Sequence, residues 1–148
     1  MKLRILLVED DFLQCDSIRK ALEQNFAGAA VDTKPSESEF LGDFEAIASN
    51  PPDIAVIDVM LRWANPSRDA SKPPAKPWEP QRAGLRCAQR LHDDGRTSGA
   101  KIILYTVFKK ENMDDVRPPE GAIWLSKELS LQELIDTVKG VLPATSGE

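Results

Sequence analysis

Four short apolar runs constrain this chain more than anything else in it: Leu3 to Val8, Ile54 to Ile57, Ile102 to Tyr105 and Ala122 to Leu125. They are β-branched or aliphatic and barely alternate, which suits strands buried on both faces of a parallel sheet. A weaker run, Ala29 to Thr33, lies between the first and second. Helical spacing fills the gaps. Phe12, Cys15, Ile18, Leu22 and Phe26 recur on one face, and the phenylalanines at 12, 26, 40 and 44 fall at core spacings. Ser36 with Glu39 reads as a capping box ahead of Phe40, Leu41, Phe44 and Ile47. Leu85, Ala88 and Leu91 mark a third helix, Lys109 to Val116 a weak fourth. Ser130 with Glu133 is a second capping box, opening a helix striped by Leu131, Leu134, Ile135, Val138, Val141 and Leu142. Five strand–helix units in alternation predict an α/β fold around a parallel sheet.

The polar residues fall where such a sheet would use them. The first run ends at Glu9, Asp10 and Asp11, the third at Asp58, the fourth at Thr106, and the fifth at Ser126 and Lys127. Open α/β sheets bind ligands outside the carboxyl ends of their strands, so these groups should converge on one crevice. Crowded carboxylates either keep a proton or take a cation. Hard oxygens suit Mg²⁺, which takes one or two carboxylates and keeps several waters. A lysine and a threonine opposite the acids can hold phosphoryl oxygens, the equipment for transfer of a phosphoryl group to a carboxylate.

In order along the chain, ILLVEDD, DIAVIDVML, ILYT and GAIWLSKE resemble the motifs of response regulator receiver domains, with the helices expected between them. The resemblance covers residues 1–143 as one domain, apart from an insertion at 62–83; 144–148 read as a tail. It implies a flavodoxin-like (βα)5 fold with strand order 2-1-3-4-5. It further implies that Asp58 accepts the phosphoryl group. Glu9, Asp10, Asp58 and the carbonyl of Met60 would hold Mg²⁺, Thr106 and Lys127 would bind phosphoryl oxygens, and Thr106 and Trp124 would act as the switch pair. A sensor histidine kinase or phosphotransfer protein would be the donor and an unknown protein the downstream target, with a dimer left open. Asp11 is expected to cap the first helix. Met60 and Phe108, two residues past the phosphoacceptor and the threonine, would flank the path of the attacking water. Two positions depart from the family pattern: Glu128 stands where proline usually follows the lysine, and Val107 where a small residue is usual.

The insertion, RWANPSRDASKPPAKPWEPQRA, holds five of the eleven prolines and two of the three tryptophans. Five basic residues against two acidic ones give it +3, and the rest of the chain -8, of a net charge of -5. Pro74, Pro77 and Pro80 would share one face of a polyproline helix beside Trp78, either as a docking segment or as a solvated insertion. The acidic balance does not advertise nucleic-acid binding. No apolar run reaches the ~20 residues of a membrane helix, and MKLRILLVEDD lacks the shape of a signal peptide, so a cytoplasmic protein is expected. Cys15 and Cys87, without a CxxC spacing, read as reduced thiols.

Several functions compete. The first is a stand-alone phosphorylation switch working through protein contacts. A pseudo-receiver, a binding module that keeps the fold without the chemistry, draws on Glu128 and Val107. A phosphatase of the haloacid dehalogenase type needs an aspartate two residues after its nucleophile, where this chain has Met60. A flavodoxin-like electron carrier must cradle a phosphate in its first loop, where Glu9, Asp10 and Asp11 would repel one.

Overall fold

The computed structural model describes residues 2–64, 82–110, 117–128 and 130–142. Its five strands are β1 (Arg4–Val8), β2 (Ala30–Lys34), β3 (Ile54–Ile57), β4 (Lys101–Thr106) and β5 (Ile123–Ser126). They form one sheet of order β2-β1-β3-β4-β5 with every pair parallel. The order expected from the resemblance is therefore the one observed, and the weak run at 29–33 is a genuine edge strand.

Side chains alternate across this sheet and build two cores. Leu6, Val8, Ile57 and Leu104 face a cluster completed by Phe40, Phe44, Cys87 and Leu91. These last four belong to the helices α2 (Glu37–Gly42), α3 (Phe44–Ser49) and α4 (Ala83–Asp93). Ile5, Leu7, Val56 and Ile103 face the opposite cluster, closed by Ile18 and Leu22 of α1 (Phe12–Asn25) and by Leu134, Ile135 and Val138 of α5 (Leu131–Val141). Burial on both faces explains why the strands read as near-continuous apolar runs.

Four local expectations are corrected. The helix expected through Phe40 and Ile47 is two short helices that break at Asp43. Gly42 and Asp43 are both poor helix formers, and Lys34 Nζ at the end of β2 holds Asp43 Oδ2 at 2.8 Å. Phe40, Phe44 and Ile47 keep one buried face across the break, but Leu41 is exposed. Phe12, expected in the core, is 81% exposed: as the first residue of α1 it stands past the end of the sheet. Finally, Ser130 sits at the N-cap of α5 but its side chain makes no cap bond; the Glu133 amide donates to the Ser130 carbonyl instead. The Ser36 cap does form, with Oγ accepting from the Glu39 amide at 3.2 Å. Both thiols are free, Cys87 buried and Cys15 half-buried. Residues 111–116 of the weak fourth helix, nearly all of the insertion including Pro74, Pro77, Trp78 and Pro80, and the tail fall outside the described residues.

At the amino-terminal edge, Asp53 clasps three strands. Its Oδ2 accepts from the Arg4 amide at 2.9 Å, its own amide donates to the Arg4 carbonyl, and its carbonyl accepts from the Lys101 amide. At the other edge β1, β3, β4 and β5 end in the residues singled out above.

Candidate functional site

Parallel pairing alone brings β1, β3, β4 and β5 to one edge. The Asp58 amide donates to the Val8 carbonyl at 2.9 Å and the Lys127 amide to the Thr106 carbonyl at 2.9 Å, so the ladder runs on into the site. Carboxylate oxygens of Glu9, Asp10 and Asp58 lie within 4.8 Å of one another. Asp11, as expected, turns away: its Oδ1 accepts from the Gln14 amide at 3.0 Å and caps α1. Lys127 Nζ donates to Glu9 Oε1 and, at 2.8 Å, to Asp58 Oδ2. The lysine spans both acids although Glu128 follows it, and the Glu128 amide is taken up by Ser126 Oγ.

Glu9 is only 2% exposed. Burial, and then the charge of Asp58, push its carboxyl up to about 7 against the pull of Lys127. Burial works against the Lys127 ammonium too, but hydrogen bonding and charge from Asp58, then Glu9, outweigh it and hold its pKa above the usual lysine value. The one contact therefore keeps the lysine charged without fully offsetting the burial of Glu9.

Thr106 is buried, and its Oγ1 accepts from the Phe108 amide at 3.3 Å. Its hydroxyl proton is thereby left for another acceptor. Trp124 Nε1 donates to the Phe108 carbonyl at 2.9 Å. The backbone of Phe108 thus carries both members of the expected switch pair, and its ring packs, half-buried, against the Phe40 cluster. The Met60 amide donates to Asp58 Oδ1 at 3.3 Å while its side chain is 44% exposed. Val107, Phe12 and Leu13 are exposed at the same edge. A groove of about 370 Å³ between α1 and α5 leads past Leu13, Tyr105, Val107 and Leu131 to Lys127. A cleft of about 610 Å³ opens on the other side, beside Asp10, Arg19, Glu39 and Arg62.

Two residues escaped the sequence reading. Gly84, in the first turn of α4, lies against the end of β3: a Cβ there would sit 1.8 Å from the Asp58 carbonyl oxygen. A glycine near the start of a helix, where it is disfavoured, was the available signal. Arg62 donates its amide to Asp10 Oδ2 at 2.8 Å, with Nε 3.8 Å from the same oxygen. Nothing in the sequence marks a contact between residues 52 positions apart.

No family model and no curated protein matches the sequence. Solved structures do. A chemotaxis response regulator of Vibrio cholerae is 17% identical, with a TM-score of 0.69 over 96% of this chain and 100% of that one. A receiver domain protein of Methanospirillum hungatei is 22% identical, with 0.65 over 95% and 93%. The receiver domain of a DNA-binding response regulator from Colwellia psychrerythraea is 19% identical, with 0.68 over 95% and 98%. The chain has the fold of the response regulator receiver domains. Among the described residues, no helix is long and apolar enough to cross a membrane.

Proposed function

We propose that the chain is a phosphorylation switch in which Asp58 takes a phosphoryl group from the phosphohistidine of a sensor kinase or phosphotransfer protein. The observation that carries this reading is the meeting of Glu9, Asp10 and Asp58 within 4.8 Å at the strand ends, with Lys127 on two of them. All three donors are hard carboxylate oxygens, which fits Mg²⁺; Met60 would add its carbonyl. Bound there, Mg²⁺ supplies positive charge against the phosphoryl oxygens.

In transfer, an Asp58 carboxylate oxygen bonds to phosphorus as the bond from phosphorus to the donor imidazole nitrogen breaks. The electron pair goes to that nitrogen, which takes up a proton. Lys127 then pairs with a phosphoryl oxygen and the Thr106 hydroxyl donates to another, drawing the Phe108 backbone and, through it, Trp124. In hydrolysis a water oxygen attacks phosphorus, the bond to Asp58 breaks, and carboxylate and inorganic phosphate result. Output goes through contact with a downstream protein. The pseudo-receiver is the reading left if the chemistry fails.

Incubation with Mg²⁺ and acetyl phosphate or phosphoramidate, followed by intact mass, tests this. One phosphoryl mass is expected on the wild type, lost in Asp58→Ala and under EDTA. Undiminished labelling of Asp58→Ala would move the acceptor elsewhere. A wild type that no phosphodonor or kinase labels would leave the pseudo-receiver.

A further inference from the structure

Three carboxylates meet in this site, and two cations already answer them. Lys127 is bound to Glu9 and Asp58. Asp10 is answered from another direction, by Arg62. Resting on the metal-binding reading above, we infer that Arg62 is a resident countercation of the divalent-metal site, and that its charge sets the affinity for Mg²⁺ by opposing it.

The backbone around Arg62 is tied on two sides. Its amide donates to Asp10 Oδ2 at 2.8 Å, which fixes one oxygen of that carboxylate. Its carbonyl accepts from the Glu37 amide at 3.0 Å, and the Trp63 carbonyl accepts from the Ser38 amide at 2.7 Å. The segment is thereby bound to the first turn of α2 and cannot leave Asp10 without uncapping that helix. Glu37 is in turn gripped through both oxygens by Arg86 of α4, at 2.8 Å each. The guanidinium on this anchored backbone stands 3.8 Å from the Asp10 oxygen.

Two consequences follow for a cation arriving at Asp10. The Arg62 amide holds the carboxylate in place, which favours binding. The guanidinium puts a positive charge beside an incoming divalent ion, which opposes it. The side chain of Arg62 is 49% exposed, so the opposition is partly screened and must weaken with salt. Lys127 differs: it is nearly buried between two acids and is needed for the phosphoryl group. Arg62 contacts Asp10 and neither Asp58 nor Lys127 in these hydrogen bonds and ion pairs, so its charge can be varied while the amide that holds Asp10 is kept.

A charge series at one position separates the two effects, because every variant keeps the amide. The full chain, stripped of metal, is titrated with MgCl₂ by calorimetry at low ionic strength as wild type, Arg62→Lys, Arg62→Gln and Arg62→Glu. Arg62→Lys should bind like the wild type. Arg62→Gln should bind roughly three- to tenfold more tightly and Arg62→Glu more tightly again, with the spread closing at high salt. Equal or weaker binding by Arg62→Gln and Arg62→Glu beside a wild type that binds would overturn the role of Arg62 and leave the metal site standing. A wild type and Arg62→Glu that both fail to bind Mg²⁺ would overturn the metal reading, and the inference with it.

Discussion

Glu9 concentrates the electrostatics of this site in one carboxyl. In the fold it keeps its proton up to about pH 7, whereas its ordinary value is 4.5. Between those values the unfolded chain sheds a proton that the folded chain retains, so the contribution of Glu9 to stability falls as pH rises from about 4.5 to about 7. That displacement corresponds to roughly 3 kcal/mol. Glu9→Gln is neutral at every pH and should lose this slope. Urea unfolding in EDTA at about pH 5 and about pH 7.5 measures it, and parallel profiles for the two proteins would refute the assignment. The same proton is one a divalent cation must displace, so Mg²⁺ binding should strengthen over the same pH range.

At the scale of elements, the site depends on how closely α4 approaches β3. The Gly84 amide donates to the Val59 carbonyl at 2.8 Å, and any Cβ would meet backbone atoms of Asp58 and Val59 that have no rotamer to escape into. Gly84→Ala should therefore cost about 3 kcal/mol or more and lower the labelling of Asp58, because the strand end moves with the helix. Wild-type stability in Gly84→Ala would show that α4 can retreat without cost. The loops after β3 and β4 make a second prediction. Met60 stands half-exposed two residues past Asp58 and cannot orient a water by hydrogen bonding. A phosphorylated Asp58 should be long-lived for that reason. Met60→Asn, which can hold a water, should speed its decay roughly five- to tenfold, the equivalent of one hydrogen bond at the barrier. Decay after removal of the donor gives the answer, and unchanged or slower loss counts against the argument. Phe108 is less suited to that test, since its ring packs on the Phe40 cluster and its backbone serves Thr106 and Trp124.

For the molecule as a whole, a ligand that binds only the folded state must raise its stability. Mg²⁺ at a hundred times its Kd should add about 2.7 kcal/mol to unfolding in the wild type and little in Asp10→Ala. Equal gains in the two proteins would place the ion elsewhere. Much of this molecule can be read from its residues. Apolar runs of four to six residues give the strands, and the polar residue at the end of each gives the site, because parallel pairing sends all the ends to one edge. Less legible is whatever depends on distance along the chain. The contacts of Arg62 with Asp10 and of Arg86 with Glu37 join residues about fifty positions apart, and no local pattern encodes them. Phe12 misleads for a different reason: helical spacing shows which face a residue lies on, but not whether the sheet beneath still extends that far.

The Asp53 clasp has a practical side. It ties β1, β3 and β4 together at the edge remote from the acids, a strand length or ~15 Å away. Anything fastened near it, at the exposed Gly99 for instance, sits at the edge opposite the acids and leaves their rim clear. A dye or surface tether placed there would let single molecules be followed without standing in the way of the acidic rim.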